Sequence, residues 1–144
     1  MNTNLNSILL IDDDQASNFI NELLIQKANI TQNLLIARNG KEAIDIIQER
    51  CLEPEGTPAN MPNLILLDIN MPVMDGFGFL EAFENMDCPS KESAMIAVLT
   101  TSLNPRDEER VKAAGIRHFL NKPLTKAVLE QLISVRFGQG ERTA

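Results

Sequence analysis

The sequence predicts an α/β fold: a parallel sheet of five strands with helices on both faces. Two observations lead there. Short aliphatic runs alternate with longer amphipathic stretches from one end of the chain to the other. The runs are also continuously apolar, as strands must be when both faces of a sheet are covered.

Ser7–Ile11 reads as the first buried strand. Gln15–Ala28 follows as a helix, with Ala16, Phe19, Ile20, Leu23 and Leu24 on one face. Asn33–Ala37 is the second strand and Lys41–Cys51 the second helix, with Ala43, Ile44, Ile47 and Cys51 on its stripe. Pro54, Gly56, Pro58 and Pro62 mark Leu52–Asn63 as a loop. Leu64–Leu67 is the third strand, followed by a turn through Pro72 and Gly76. Phe77–Met86 is a helix with Leu80 and Phe83 inward, and Ala94–Leu99 is the fourth strand. Asn104 has the character of an N-cap, with Pro105 at the first helical position and Asp107 in the first turn. That helix runs to about Ala114, stops at Gly115 and has few apolar residues, so it is expected to lie exposed. Ile116–Asn121 is the fifth strand. Thr125–Phe137 is the last helix, burying Val128, Leu129, Leu132 and Ile133.

The length of 144 residues is that of one domain. Residues 1–6 read as an N-terminal extension, 7–137 as the domain and 138–144 as a tail, with no room for a second folded output domain. Trp and Tyr are absent, so the core is aliphatic with Phe and Met. A net charge of -7 without any Lys/Arg run weighs against direct nucleic-acid binding. Cys51 and Cys88, without CxxC spacing, read as free thiols rather than a disulfide or a metal site. The first residues lack a basic n-region, and the apolar run Ile8–Ile11 ends in acids. Neither a signal peptide nor a membrane span is indicated, so a cytoplasmic protein is expected.

In an open parallel sheet, functional groups gather at the carboxyl ends of the strands, beside the switch in strand order. Asp12, Asp13 and Asp14 follow the first strand and Asp68 the third. Thr100, Thr101 and Ser102 follow the fourth, and Lys122 and Pro123 the fifth. Carboxylates crowded at one edge repel one another unless a cation intervenes. Mg2+ suits such a site, because it takes one or two carboxylates and keeps several waters. A hydroxyl and an ammonium complete a set suited to a phosphoryl group, with Asp68 as the in-line nucleophile.

The motifs ILLIDDD, LILLDINMPVMDGF, AVLTTS and FLNKPL, in that order on the strand ends, resemble the receiver domain of two-component response regulators over about Ser7 to Phe137. The resemblance implies a doubly wound, flavodoxin-like sheet in the order 2-1-3-4-5. It implies phosphorylation of Asp68 by a histidine kinase or histidine phosphotransfer protein, and a Mg2+ site of Asp12, Asp13, Asp68 and the Asn70 backbone carbonyl. Asp13 resembles the direct ligand and Asp12 the one acting through metal-bound water. Thr100 resembles the hydroxyl that reorients onto the phosphoryl group, Lys122 the lysine that pairs with it, and Phe119 the aromatic switch. A cis Lys122–Pro123 bond is expected. The output is a protein-interaction surface for a downstream target, and a phosphorylation-dependent dimer is compatible with it. Thr101 stands where a small residue is usual, and Asn70 and Ser102 occupy positions that tune dephosphorylation. The 52–63 loop is longer than usual and lies away from the acceptor edge.

Blander readings hold elsewhere. Asp14 is an N-cap or first-turn acid, and Asp75-Gly76 is turn chemistry in which Gly allows a positive φ. Met61, Met71, Met74 and Met86 read as packing. His118, the only histidine, reads as structural. A phosphatase of the haloacid dehalogenase type would carry Asp-x-Asp on its first strand, whereas Asp68 lies on the third with Asn70 two residues on. No turnover of an external substrate is therefore expected. The remaining alternative is a receiver-like binding module that works without phosphorylation, which usually lacks an acid or the lysine. A flavin carrier would want a hydroxyl-rich first loop and stacking aromatics.

Overall fold

A computed structural model describes residues 5, 7–31, 33–51 and 61–135. The element order is β1 (Ile8–Ile11), α1 (Gln15–Ala28), β2 (Leu34–Ala37), α2 (Gly40–Cys51), β3 (Leu64–Leu67), α3 (Gly76–Glu84), a 3-10 turn (Pro89–Ser93), β4 (Met95–Thr100), α4 (Pro105–Ala113), β5 (His118–Asn121) and α5 (Lys126–Ile133). The strands form one parallel sheet in the order β2-β1-β3-β4-β5. The expected loop over 52–60, the ends at 1–4 and 138–144, and the extension of the last helix to Phe137 lie outside the described residues.

Alternation along the strands builds two cores. Leu9, Ile11, Ile65, Leu67, Ile96 and Val98 face α2, α3 and α4, meeting Ile47, Phe79 and Val111. Ile8, Leu10, Leu64, Leu66, Ala97 and Leu99 face α1 and α5, meeting Ile25, Leu129 and Leu132. Each Leu or Ile that is fully buried contributes about 1.5–3 kcal/mol, so the central strands hold the sheet together. α4 buries only Val111. It is further tied to α3 by the Arg110 guanidinium, 3.7 Å from the centre of the Phe77 ring.

Several expectations are corrected. α1 turns its amide residues inward: Asn18, Asn21 and Ile25 are buried, while Phe19, Ile20 and Leu23 are 61%, 54% and 41% exposed. The cause is polar. The Asn18 amide donates to the Asp12 carbonyl at 2.9 Å in a buried hydrogen bond, which fixes the helix's rotation. α3 begins at Gly76 and ends at Glu84, where the Lys91 ammonium donates to the Phe83, Glu84 and Met86 carbonyls (3.3, 2.7 and 3.0 Å). β5 begins at His118 rather than Ile116. Gly115 turns through φ +88°, and Ile116 donates its N–H back to Val111. β4 runs through Thr100, so this hydroxyl belongs to the strand itself.

Cys51 and Cys88 are not free thiols; they form a disulfide with a Cα–Cα distance of 5.9 Å. α2 and α3 pack side by side. That brings together the end of one and the segment after the other, a proximity that sequence spacing does not encode.

Candidate functional site

The carboxyl ends of β1, β3, β4 and β5 converge on one acidic corner. β1 and β3 are neighbours although β2 lies between them in sequence, so the corner sits where the strand order reverses. Asp12 (4% exposed), Asp13 (exposed) and Asp68 (8% exposed) present carboxylate oxygens that all lie within 4.8 Å of one another. Lys122 reaches in from the end of β5. Its Nζ lies 2.6 Å from Asp12 Oδ2 and 3.4 Å from Asp68 Oδ2.

The loops fix the remaining lone pairs. The Asp14 N–H donates to Asp12 Oδ1 at 2.9 Å, and the Asn70 N–H donates to Asp68 Oδ1 at 3.3 Å. Burial pushes the Asp12 carboxyl above its ordinary value, and the Lys122 ammonium only partly opposes this. Burial also works against the charge on Lys122, but its hydrogen bond to Asp12 and the charge of Asp68 win and raise its value. Three carboxylates against one ammonium leave a deficit of two positive charges, so a divalent oxygen-seeking cation fits this donor set.

Thr100 is fully buried, and its Oγ1 accepts the Ser102 N–H at 3.2 Å. The Thr100 carbonyl accepts the Lys122 N–H at 2.9 Å, binding β4's last residue to the lysine's own backbone. The Lys122–Pro123 peptide is cis, as expected. Thr101 is exposed at the rim. Ser102 is turned to α4, its hydroxyl donating to Asp107 Oδ2 at 2.6 Å. Asn70 is exposed. Phe119 is half-buried and packs against the core on the α2–α3–α4 side, outside the acid cluster. Asp14 caps α1, accepting the Ala16 N–H at 3.0 Å.

Four features were missed in the sequence. Ser17 accepts a hydrogen bond from Lys122 Nζ at 3.2 Å and donates its own proton to Asp14 Oδ2 at 3.0 Å. Its place one turn into α1, three residues after the cap, is the only signal it gives. Asn121 donates to the Ser102 carbonyl at 3.0 Å, tying β5 to the loop after β4. Gly76 does not serve a positive φ. A Cβ there would lie 2.6 Å from the Ile69 Cα and 2.7 Å from the Asp68 carbonyl oxygen, so only glycine lets α3 start against the end of β3. Asp75 caps that helix through the Gly78 N–H. The positive φ falls instead on Val73 (+69°), 80% exposed, where Met74 donates its N–H to the Pro72 carbonyl at 2.7 Å.

The family model of the response regulator receiver domain matches residues 8–134, most of the chain. The chain belongs to the response regulator receiver domain family. This receiver domain is 35% identical over 134 residues to the two-component response regulator ARR22 of Arabidopsis thaliana, covering 91% of this chain and 83% of that one. A two-component response regulator from Cytophaga hutchinsonii superposes with a TM-score of 0.80 at 30% identity, covering 94% and 98% of the two chains. The solved Mn2+-bound form of response regulator Rcp1 matches the receiver with a TM-score of 0.67 at 30% identity, over 92% and 89%. No described helix is long and apolar enough to cross a membrane.

Proposed function

We propose that this receiver accepts a phosphoryl group on Asp68 from a histidine kinase or histidine phosphotransfer protein, in a Mg2+-dependent reaction. It then passes the signal on through a protein-binding surface. The observation that carries this reading is Lys122 set between Asp12 and Asp68, with the Asp13 carboxylate in the same acidic cluster. Asp68 is the nucleophile: Oδ1 is held by the Asn70 N–H, and Oδ2 is the oxygen nearest the ammonium. Lys122 stabilises the charge that arrives, with Ser17 as a third acceptor that steadies the ammonium when it leaves Asp12. The Thr100 oxygen already accepts the Ser102 N–H, leaving its proton to donate to a phosphoryl oxygen.

Asp12, Asp13, Asp68 and the Asn70 carbonyl would hold Mg2+, which supplies neutralising charge at the phosphoryl oxygens. A phosphoryl group brings about -1.5 to -2 charges. Drawing the Thr100 hydroxyl toward that charge frees space for Phe119, the switch that alters the face of α4, β5 and α5. We read the domain as residues 7–137, working in the cytoplasm without turnover of an external substrate. The downstream target is a protein, and a phosphorylation-dependent dimer belongs to the same scheme. Phe19, Ile20 and Leu23 are exposed on α1, the helix whose Ser17 meets Lys122, and we propose this stripe as the docking face for the phosphodonor.

Purified protein incubated with acetyl phosphate tests the reading by intact mass. Wild type should gain one phosphoryl group only when Mg2+ is present, and Asp68→Asn should gain none. Uptake retained in Asp68→Asn would reject the acceptor assignment.

A further inference from the structure

The Cys51–Cys88 disulfide lies at the far end of a pair of helices whose near end forms part of the acceptor site. At the near end, the Gly40 N–H at the start of α2 donates to the Met74 carbonyl in the β3–α3 loop at 2.8 Å. The approach is so close that a Cβ on Gly40 would lie 2.7 Å from the Met74 Cγ. At the far end, Cys51 is the last residue of α2, and Cys88 leads into the 3-10 turn. That turn carries Lys91, whose ammonium closes the last carbonyls of α3. The bridge joins residues 37 apart, and the ring it closes contains β3, Asp68, the Asn70–Asp75 loop and the whole of α3.

We infer that Cys51–Cys88 is a thiol–disulfide exchange site for a dithiol reductant, and that opening it loosens the ring carrying Asp68 and shortens the life of the aspartyl phosphate. The effect on Asp68 and the reducing surroundings rest on the proposed function; the loosening of the ring does not. In a reducing compartment, disulfides serve mostly as catalytic or sensing elements rather than permanent ties, which suits a bridge placed around a signalling acceptor.

The step balances. Cys51 is half-buried and Cys88 is 5% exposed, so a reductant thiolate attacks the Cys51 sulfur. The Sγ–Sγ bond breaks, and Cys88 leaves as a thiolate that takes a proton from solvent. The reductant's second thiolate then attacks its own sulfur in the mixed disulfide and releases Cys51. The protein gains two electrons and two protons, and the dithiol becomes a disulfide.

The test compares the full chain as oxidised protein, as protein reduced with dithiothreitol, and as the Cys51→Ser/Cys88→Ser variant. Thiol titration should find both cysteines blocked before reduction and free after it. Amide exchange at Gly40 and along α3 should quicken in the reduced and variant proteins while the β1 amides stay protected, which also shows that both remain folded. After loading with acetyl phosphate, loss of phosphate should be about five-fold faster or more in both, and re-oxidation of wild type should restore the slow rate. Equal exchange at Gly40 in all three forms overturns the inference, as do free thiols in the unreduced protein or equal decay rates. If no form takes up phosphate, the acceptor reading fails instead, and exchange at Gly40 still decides whether the bridge governs the loop.

Discussion

Replacing Lys122 with Met keeps most of the side chain's length and removes its charge. Lys122 is 13% exposed at its side chain, Asp12 6% and Asp68 9%, so the contact is largely withdrawn from water. Removing one member of a buried pair leaves an uncompensated charge and costs about 3–5 kcal/mol. The open rim and exposed Asp13 favour the lower end, about 3 kcal/mol. With 144 residues, that corresponds to a fall in Tm of about 10 °C. The pH profile gives the cause. Lys122 is raised in the folded protein, so its contribution is fully present below roughly pH 10.4 and is lost as pH rises through the folded value. Asp12 is also raised, so protonation at low pH removes the charge that Lys122 neutralises. The gap between wild type and Lys122→Met should therefore be widest near neutrality and close toward both acid and strong alkali. Thermal melts over pH in the presence of a chelator check this, and added Mg2+ should narrow the gap at pH 7. A Lys122→Met protein as stable as wild type at pH 7 without divalent metal would refute the reasoning.

Asp12→Asn should raise the Tm of the metal-free protein at pH 7. Ionised Asp12 is disfavoured by burial, and the gain should vanish as pH falls below roughly 3.9, where wild-type Asp12 is protonated even when unfolded. Val73→Gly should stabilise by about 1 kcal/mol in urea melts, because a β-branched residue at φ +69° stores strain that glycine lacks. Phe19→Asp, on a residue 61% exposed, should leave stability within about 0.5 kcal/mol. The same variant should slow phosphotransfer from a phosphorylated histidine donor while leaving uptake from acetyl phosphate unchanged; equal slowing with both donors would reject α1 as the docking face.

The parts of the site that were legible in the sequence are those that hang on strand ends. Leu64–Leu67 reads as a buried strand in the alternating pattern, which puts Asp68 at a sheet edge, and Asp12, Thr100 and Lys122 follow by the same argument. The strand order came from resemblance, since nothing in the aliphatic runs says which lie side by side. α1 was misread because Phe19, Ile20, Leu23 and Leu24 fall at helical spacing, yet Asn18 outranks that stripe: a buried amide bonded to the Asp12 carbonyl decides the helix's rotation. Ser17 and the disulfide were hidden for a related reason. Both depend on which elements meet in space, the first through Lys122, 105 residues away, and the second through α2 lying along α3. Glycine at position 76 was recognised as special, but its reason, the backbone of Ile69 pressed against it, needed coordinates.

Trapping the acyl phosphate tests the central claim most directly. Protein loaded with a phosphodonor and Mg2+ is reduced with borohydride, which converts an aspartyl phosphate to homoserine, and the site is read by peptide mass mapping. Conversion confined to Asp68, absent without Mg2+, is the expected result. Conversion at another residue, or none in a folded sample, would contradict the account.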